Sequence, residues 1–365
     1  MYDYTKEQLC IIWLDSFLGL EYKHKAQILE GVNNTSSITA FLEQSKDYLI
    51  NALGENVYST LKSSANREYL EFILNIYKKK GITAITFRNE NYPKTFKNIN
   101  CPPIVIYCKG DTSLLNAKNL FGVVGSRKSL STSLALTERY VKELIKADFI
   151  PVTGIAEGVD AKVLTTAIEE KSKAISVIAG GLDNLYPKQH FDLVEKVSEK
   201  GLVVSEYPPQ VEPRPFMFPV RNRLISALSI GVLIVSGGMK SGTLYTAEYA
   251  EEYGKDLFVV PYSAGVISGA GCNDLIKRGA MLTDTPEDIL SFYGVESSSE
   301  ELNLSVEEKE IVNVLSSGEK HIEKISSALN KRVFEIMPTL SVLEIKKVVV
   351  KNGNTYGLTR NDLED

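Results

Sequence analysis

Two arginines flank an asparagine in the stretch FPVRNRLISALS, residues 218–229, of a chain whose formal net charge is −5. Apolar residues at helical spacing, together with Pro219, predict a helix whose first turn carries Arg221 and Arg223. The helix macrodipole disfavours a cation in an exposed first turn by about 0.3 to 1 kcal/mol. We therefore expect a negatively charged partner beside these two arginines.

Two kinds of partner meet this expectation. One is a local carboxylate, Glu206 or Asp183, because structural ion pairs are common in folded proteins. The other is a bound phosphate, and further cations favour it. Arg127 and Lys128 lie on one neighbouring loop, and Lys240 lies on another. The sequence predicts a basic pocket, with the carboxylate pairs as the alternative.

Aromatic residues accompany these cations. Phe216 and Phe218 lie just before the predicted helix. Basic groups combined with exposed rings are typical of single-stranded nucleic-acid binding, in which phosphates pair with the cations and bases stack on the rings. For Phe218, packing in the core beneath the helix is the alternative.

Five glycine-rich or polar loops each follow an apolar, β-branched run. They are GSRKSLS (125–131), TGIAEGVD (153–160), GGLDNLYP (180–187), SEYPP (205–209) and SGGMKSGT (236–243). The segments 132–146, 160–170 and 243–253 have helical periodicity. Continuous apolar strands that alternate with helices predict a parallel sheet covered on both faces, with ligands at its carboxyl edge. The free N–H groups at the helix starts predict an anion as the ligand.

Composition argues against several enzyme classes. The three histidines and four cysteines are scattered, so we expect no metal centre, no disulfide framework and no histidine-based triad. No loop has the GxGxxG pattern, and no lysine follows Gly242 as a Walker A loop requires. We therefore expect no cofactor. The chain has neither an apolar run of about 18 residues nor a signal-peptide pattern, which predicts a cytoplasmic protein without a membrane partner.

The loop motifs carry a family resemblance. GSRKSLS, TGIAEGVD, GGLDNLYP, SEYPP, FPVRNRLISALS, SGTLYTA and GCNDLIKRGA follow one another in the order of the DNA-processing protein family, DprA/Smf, which the chain resembles over essentially its whole length. The resemblance implies a single-stranded DNA-binding recombination mediator. Such a protein protects incoming strands, forms a homodimer and helps to load the RecA recombinase in natural transformation. It implies DNA binding and handover rather than an enzymatic reaction.

The resemblance also implies a domain organisation. The segments are a helical SAM-like domain at 1–78, an extended Rossmann-like DNA-binding domain with a mainly parallel sheet and helices on both faces at 79–293, a linker at 294–308 and a winged-helix domain at 309–365. HIEKISSALN, VFEIMPTLSVLEIKK and VVVKNGNTYGL have the helix, helix, hairpin order of the last domain. Its second helix is notably apolar, which favours a protein contact or accessory role over base reading. The predicted core residues of that helix are Ile336, Leu340, Leu343 and Ile345.

Motif by motif, the resemblance implies a set of nucleic-acid contacts. They are Gly125, Ser126, Arg127, Lys128, Phe218, Arg221, Asn222, Arg223, Lys240, Ser241 and Gly242. The chain departs from the family pattern at four positions. Ser236 stands where the family has an acidic residue, and Thr243 stands in place of the second serine of the family's SGS motif. Glu157 stands where the family has an arginine, and Leu164 stands where it has a histidine. The reversed charge at Glu157 is expected to repel a nearby phosphate.

Two other functions are open to the same loops. Nucleoside-monophosphate phosphoribohydrolases carry a PGGxGTxxE signature, which SGGMKSGTLYTAE matches in part. Glu248 comes two positions late for that signature, so its carboxylate points elsewhere on the helix. Asp160 and Asp183 are the candidate acids of such a site, with turn or capping roles as the alternative. The second function is a nucleotide-binding sensor that holds a phosphate ligand without turnover.

Overall fold

The computed structural model of the protein describes residues 4–17, 20, 22–31, 37–295, 304–346 and 348–358. The chain divides into two units after Ser297. Most of the linker predicted at 294–308, namely residues 296–303, lies outside the described residues. The boundary predicted at residue 78 stays a prediction, because the helices before it and the sheet after it belong to one unit.

Among the described residues before the sheet there are five helices, as the helical periodicity of this region predicts. They are α1 (Lys6–Asp15), α2 (Tyr22–Gly31), α3 (Ile38–Leu53), α4 (Glu55–Ser64) and α5 (Arg67–Lys79). A capping box fixes the start of α1: the Gln8 N–H donates to Thr5 Oγ1, and the Thr5 N–H donates to Gln8 Oε1. Trp13 is fully buried and packs edge-on against Phe17 and Phe41, so these helices share one apolar core.

A buried polar network joins these helices to the sheet. Asp15, at the end of α1, accepts a hydrogen bond from Lys25 Nζ at 2.8 Å and from the Tyr107 hydroxyl at 2.7 Å. Burial and the neighbouring carboxylate raise the pKa of Tyr107, so its hydroxyl stays protonated and donates. Asp15 therefore compensates a buried ammonium and ties the helices to the strand that carries Tyr107.

In the described part of the chain, nine strands form the central sheet. They are β1 (Ile82–Thr86), β2 (Val105–Gly110), β3 (Leu120–Val124), β4 (Ile150–Thr153), β5 (Ile175–Val177), β6 (Leu202–Ser205), β7 (Gly231–Ile234), β8 (Asp256–Val259) and β9 (Met281–Leu282). Their spatial order is β1-β2-β6-β5-β4-β3-β7-β8-β9. Among these strands, only the pairings of β2 with β1 and with β6 are antiparallel, so the prediction of a mainly parallel sheet is confirmed.

Strand β3 is the point at which successive strands of the chain stop being added on one side of the sheet and begin to be added on the other. This strand pairs with β4 on one side and with β7 on the other, and Gly122 lies opposite both Val152 and Val232. All five residues of β3 are buried, as a strand covered on both faces requires. Such a topological switch point opens a crevice at the carboxyl ends of the strands.

Seven helices accompany this sheet. They are α6 (Ser131–Lys146), α7 (Val159–Glu169), α8 (Phe191–Lys200), α9 (Met217–Leu228), α10 (Thr243–Glu252), α11 (Ala270–Lys277) and α12 (Pro286–Phe292). The three helices predicted at 132–146, 160–170 and 243–253 are confirmed to within one residue at each end. No described helix is long and apolar enough to cross a membrane.

The predicted start of α9 is wrong. The helix begins at Met217, so Pro219 is its third residue and Arg221 its fifth. A proline is tolerated there because the first N–H groups of a helix have no intrahelical partner in any case. Arg221 consequently lies beyond the first turn, and the unfavourable dipole contact predicted for it is weaker.

The second unit has the order helix, strand, helix, helix, strand, strand. The elements are α13 (Val306–Leu315), β10 (Lys320–His321), α14 (Ile322–Leu329), α15 (Val333–Ile345), β11 (Val349–Asn352) and β12 (Thr355–Leu358). The two predicted helices and the hairpin are present, whereas the range predicted as a linker includes the first turn of α13. The winged-helix assignment itself stays a prediction.

One predicted core residue of α15 is wrong. Ile336, Leu340 and Leu343 are buried, but Ile345 is 81% exposed. Two residues along a helix correspond to a rotation of about 200°, so Ile345 faces away from the side that buries Leu343.

The Asp15 network gives a stability prediction. Asp15→Ala leaves the buried Lys25 ammonium without a counter-charge, so we expect the free energy of unfolding to fall by about 3 kcal/mol. Urea denaturation of the full chain measures this change. Glu43→Ala is the matched control, since it removes an exposed carboxylate that lies 3.4 Å from Lys62 Nζ, and it should change the free energy by less than about 1 kcal/mol. Equal effects of the two variants would contradict the role of the network.

Candidate nucleic-acid interface

A cleft of about 500 Å³ lies at the switch point, where the loop after β3 meets the starts of α7, α9 and α10. Nine of the eleven predicted contact residues line it. They are Gly125, Ser126, Arg127, Lys128, Phe218, Arg221, Asn222, Ser241 and Gly242. Arg223 and Lys240 do not line it. The sheet topology thus brings together loops that are more than a hundred residues apart in the chain.

The loop after β3 is held by packing and by one hydrogen bond. A side chain at Gly125 would come within 2.5 Å of the Val159 side chain, so α7 can approach only a glycine there. The Ser126 N–H donates to Ser236 Oγ at 3.0 Å, which ties this loop to the end of β7. Arg127 and Lys128 follow directly and are exposed, so both cations are presented at the cleft.

An aromatic pair stands beside the exposed cations. The Arg127 guanidinium carbon lies 5.0 Å from the centroid of the Phe218 ring, a cation–π geometry. The Tyr186 ring meets Phe218 edge-on at 5.9 Å. Phe218 packs against a small apolar cluster and also lines the cleft. The predicted apolar packing is therefore present, and the predicted stacking of a base on this ring stays a prediction.

Arg221 forms the buried floor of the cleft. Its Nη1 donates to the Val177 carbonyl at the end of β5, and its Nε donates to Asn222 Oδ1 at 3.2 Å. Burial lowers the pKa of Arg221 to about 10, although the nearby Asp160 carboxylate acts in the opposite direction. The guanidinium is therefore charged at neutral pH.

Asp160 is the carboxylate that accompanies this arginine. It is buried in the first turn of α7, where it accepts a hydrogen bond from the Ala156 N–H at 3.2 Å. Burial raises the pKa of Asp160, and the Arg221 charge opposes that rise. The Ala156 contact lies in the loop before α7 and is not a helix cap, because α7 has no side-chain cap hydrogen bond. No pattern in the sequence indicates that the Asp160 charge acts on Arg221.

Two helix N-termini face the same space. Gly158 precedes α7 and Gly242 precedes α10, and neither can cap its helix with a side chain. The Asn222 amide donates to the Gly242 carbonyl at 3.2 Å, so α9 fixes the position of the α10 start. The partial positive charge of these helix ends adds to that of the arginines, which makes the cleft suitable for an anion.

Arg223 is directed away from the cleft. Its Nη2 lies 2.5 Å from Glu206 Oε2 and donates to the Cys101 carbonyl at 3.2 Å. The structure thus forms the carboxylate pair that the sequence left open, because residues 221 and 223 project from opposite sides of α9. Asp183, the other carboxylate considered, pairs with Lys80 at 2.8 Å. Lys240 is exposed outside the cleft.

Two of the departures from the family pattern, Leu164 and Glu157, lie in different surroundings. Leu164 is fully buried in the core, where a histidine would have to be desolvated. Glu157 is exposed at the rim of the cleft and accepts a hydrogen bond from the Gln189 amide. Tyr186, which lies beside Phe218, is absent from the predicted contacts. The sequence does predict that the loop carrying it, residues 180–187, follows a strand.

No group of three or more metal-ligating side chains occurs among the described residues. The fold and the cleft define an α/β protein with an open, mainly parallel sheet and a cationic crevice at its switch point. The model of the family DNA recombination-mediator protein A matches residues 83–294, more than half of the chain. The chain belongs to this family.

Individual relatives agree with this assignment. The chain is 35% identical to the DNA processing protein DprA of Bacillus subtilis over 63% of this chain and 78% of that protein. It is 36% identical to the DNA processing protein DprA of Streptococcus pneumoniae over 55% of this chain and 71% of that protein.

Solved structures agree as well. DNA processing protein A from Streptococcus pneumoniae has a TM-score of 0.68 at 28% identity and covers 80% of this chain and 99% of its own. DNA processing protein A from Helicobacter pylori has a TM-score of 0.53 at 30% identity and covers 58% of this chain and 95% of its own. The Helicobacter pylori protein binds single-stranded DNA.

The packing around Arg221 gives a second stability prediction. A methyl group at Gly154 would contact Asp160 Oδ2 and come within 2.6 Å of Arg221 Nη2, so Gly154→Ala must displace both side chains. We expect a loss of about 1 to 3 kcal/mol in the free energy of unfolding, measured by urea denaturation. Gly242→Ala is the control because that position is open and its φ is −60°. A similar loss in both variants would show that the cost lies in the backbone and not in the Arg221 site.

Proposed function

We propose that the protein is a recombination mediator that binds single-stranded DNA in the cleft at the switch point. One observation carries the proposal: the exposed Arg127 lies over the Phe218 ring in the cleft that the buried, charged Arg221 also lines. Phosphates and bases alternate along a single strand. Cations beside an aromatic ring match that alternation.

The shape of the cleft favours a single strand over a duplex. Its volume of about 500 Å³ is in the range of a small-ligand site and suits one nucleotide unit at a time. A duplex keeps its bases stacked inside, so it would offer phosphates to Arg127 but no base to Phe218. The aromatic contact therefore contributes to binding only when the base is unpaired.

Family membership supports the finer part of the proposal. As a member of the DNA recombination-mediator protein A family, the protein is expected to protect incoming single strands in the cytoplasm and to hand them to a RecA-type recombinase during natural transformation. We further propose that it acts as a homodimer. Exposed apolar side chains at the β9 edge, Ile267 and Leu282, offer a surface that a second copy would cover.

The hydrolase alternative gains no support from the geometry. Glu248, its candidate catalytic carboxylate, is exposed on α10 and does not line the cleft. The nucleotide-sensor alternative places a phosphate ligand on the same cations. The volume of the cleft, which suits one nucleotide, favours this alternative. Addition of unlabelled nucleoside monophosphates to a labelled single strand bound to the protein separates the two functions: a nucleotide sensor should release the strand, whereas a DNA-binding protein should retain it.

Fluorescence anisotropy with a labelled oligothymidylate tests the proposal. Arg127→Ala should weaken binding about tenfold and reduce the salt slope by about 0.7, the value for one lost phosphate contact on a single strand. The same strand presented as a duplex should bind more weakly at every salt concentration. Arg127 is exposed, so the variant should fold normally.

Lys118→Ala is the matched control for charge. Lys118 is exposed just before β3, at the opposite edge of the sheet from Arg127. Its removal should leave the affinity for single strands and the salt slope unchanged. If wild-type protein fails to bind the strand at low salt, or if both variants weaken binding equally, the cleft is not the DNA site.

A further inference from the structure

A carboxylate at the rim of a cationic cleft is electrostatically unexpected. Ala156 lines the cleft, and a side chain at Gly158 would come within 2.6 Å of the Arg127 carbonyl, so the intervening Glu157 lies beside the cation-bearing loop. An exposed carboxylate here repels a phosphate. Glu157 is compatible with nucleic-acid binding in this cleft only if a part of the ligand other than a phosphate lies next to the carboxylate.

Glu157 is held in place from one side. Its Oε1 accepts a hydrogen bond from Gln189 Nε2, and His190 Nδ1 donates to the Ile155 carbonyl at 2.8 Å. These two contacts join the loop before α7 to the short 3₁₀ segment Lys188–His190. Among the described residues, Oε2 of Glu157 has no hydrogen-bond partner, so one acceptor is oriented and free.

An aromatic residue, Tyr186, lies just before the 3₁₀ segment Lys188–His190. Tyr186 is 54% exposed, and its ring meets Phe218 edge-on at 5.9 Å while Arg127 lies over the Phe218 ring. Tyr186 also lies three residues before Gln189, which donates to Glu157, so one short segment carries both the exposed ring and the contact to the carboxylate. A strand whose phosphates contact Arg127 would place a base on the exposed Tyr186 ring, with the edge of the base directed to the rim.

We propose that Glu157 reads the edge of that base by accepting a hydrogen bond from its exocyclic amino group. Cytosine presents such a donor at N4, whereas thymine presents the acceptor O4 at the same position, which a carboxylate repels. The protein is thus selective at one nucleotide, with cytosine preferred to thymine. This inference rests on the proposed function, because it needs a single strand in the cleft.

The test compares oligodeoxycytidylate with oligodeoxythymidylate of equal length and label, by fluorescence anisotropy at one salt concentration and neutral pH. Wild-type protein should bind the cytosine strand about tenfold more tightly. Glu157→Gln keeps the size of the side chain, but its amide can donate to O4 as well as accept from N4. We expect this variant to bind the two strands with equal affinity.

Two further variants separate base reading from charge and from folding. Glu55→Gln removes an equal charge from an exposed position on α4 and should keep the wild-type ratio of affinities. Tyr186→Ala should lower both affinities and reduce the ratio, because the base loses its platform, and Tyr186→Phe should restore both. Unchanged affinities in Tyr186→Ala would overturn the proposal.

The remaining outcomes are distinct. Equal wild-type affinities for the two strands, or an equal gain for both strands in Glu157→Gln, would mean that Glu157 acts only by repulsion, and would overturn the base-reading role while leaving DNA binding intact. Failure of the wild-type protein to bind either strand would instead contradict the proposed function itself.

Discussion

The architecture of the site depends on the burial of one charged group, the Arg221 guanidinium. A buried cation must be hydrogen-bonded and paired, since its desolvation otherwise exceeds the stability of a domain. The Val177 carbonyl at the end of β5 accepts a hydrogen bond from Arg221, and the Asp160 carboxylate at the start of α7 supplies a nearby counter-charge without a direct hydrogen bond. Helix α9 is thereby fixed across the carboxyl edge of the sheet, and the start of α10 is fixed to it through Asn222.

The same constraint explains which groups remain available to a ligand. Arg223 is already neutralised by Glu206, so it stabilises the fold and offers no charge to the cleft. Arg127 and Lys128 are exposed on a loop that Ser236 holds in place. The protein can therefore be acidic overall and still bind an anion, because a local cationic crevice acts while acidic surfaces elsewhere oppose non-specific contacts.

The sheet could be predicted from the sequence because apolar, β-branched runs alternate with amphipathic segments, and each run ends in a polar or glycine-rich loop. Most of the cleft could be predicted for the same reason, since parallel strands end at one edge. The direction of individual side chains could not be predicted. Arg221 and Arg223 look equivalent in the sequence. Only the observed start of α9 and the position of Glu206 show that Arg221 lines the cleft, whereas Arg223 forms a buried ion pair.

Hydrogen–deuterium exchange with and without a single-stranded oligonucleotide tests the central claim most directly, because it locates the contact without altering the protein. If the switch-point cleft binds the strand, amide exchange should slow in segments 125–131, 154–160 and 241–246, which come from three separate loops. Protection confined to the second unit, residues 298–365, with the three loops unchanged, would contradict this claim and move the DNA site away from Arg127 and Arg221.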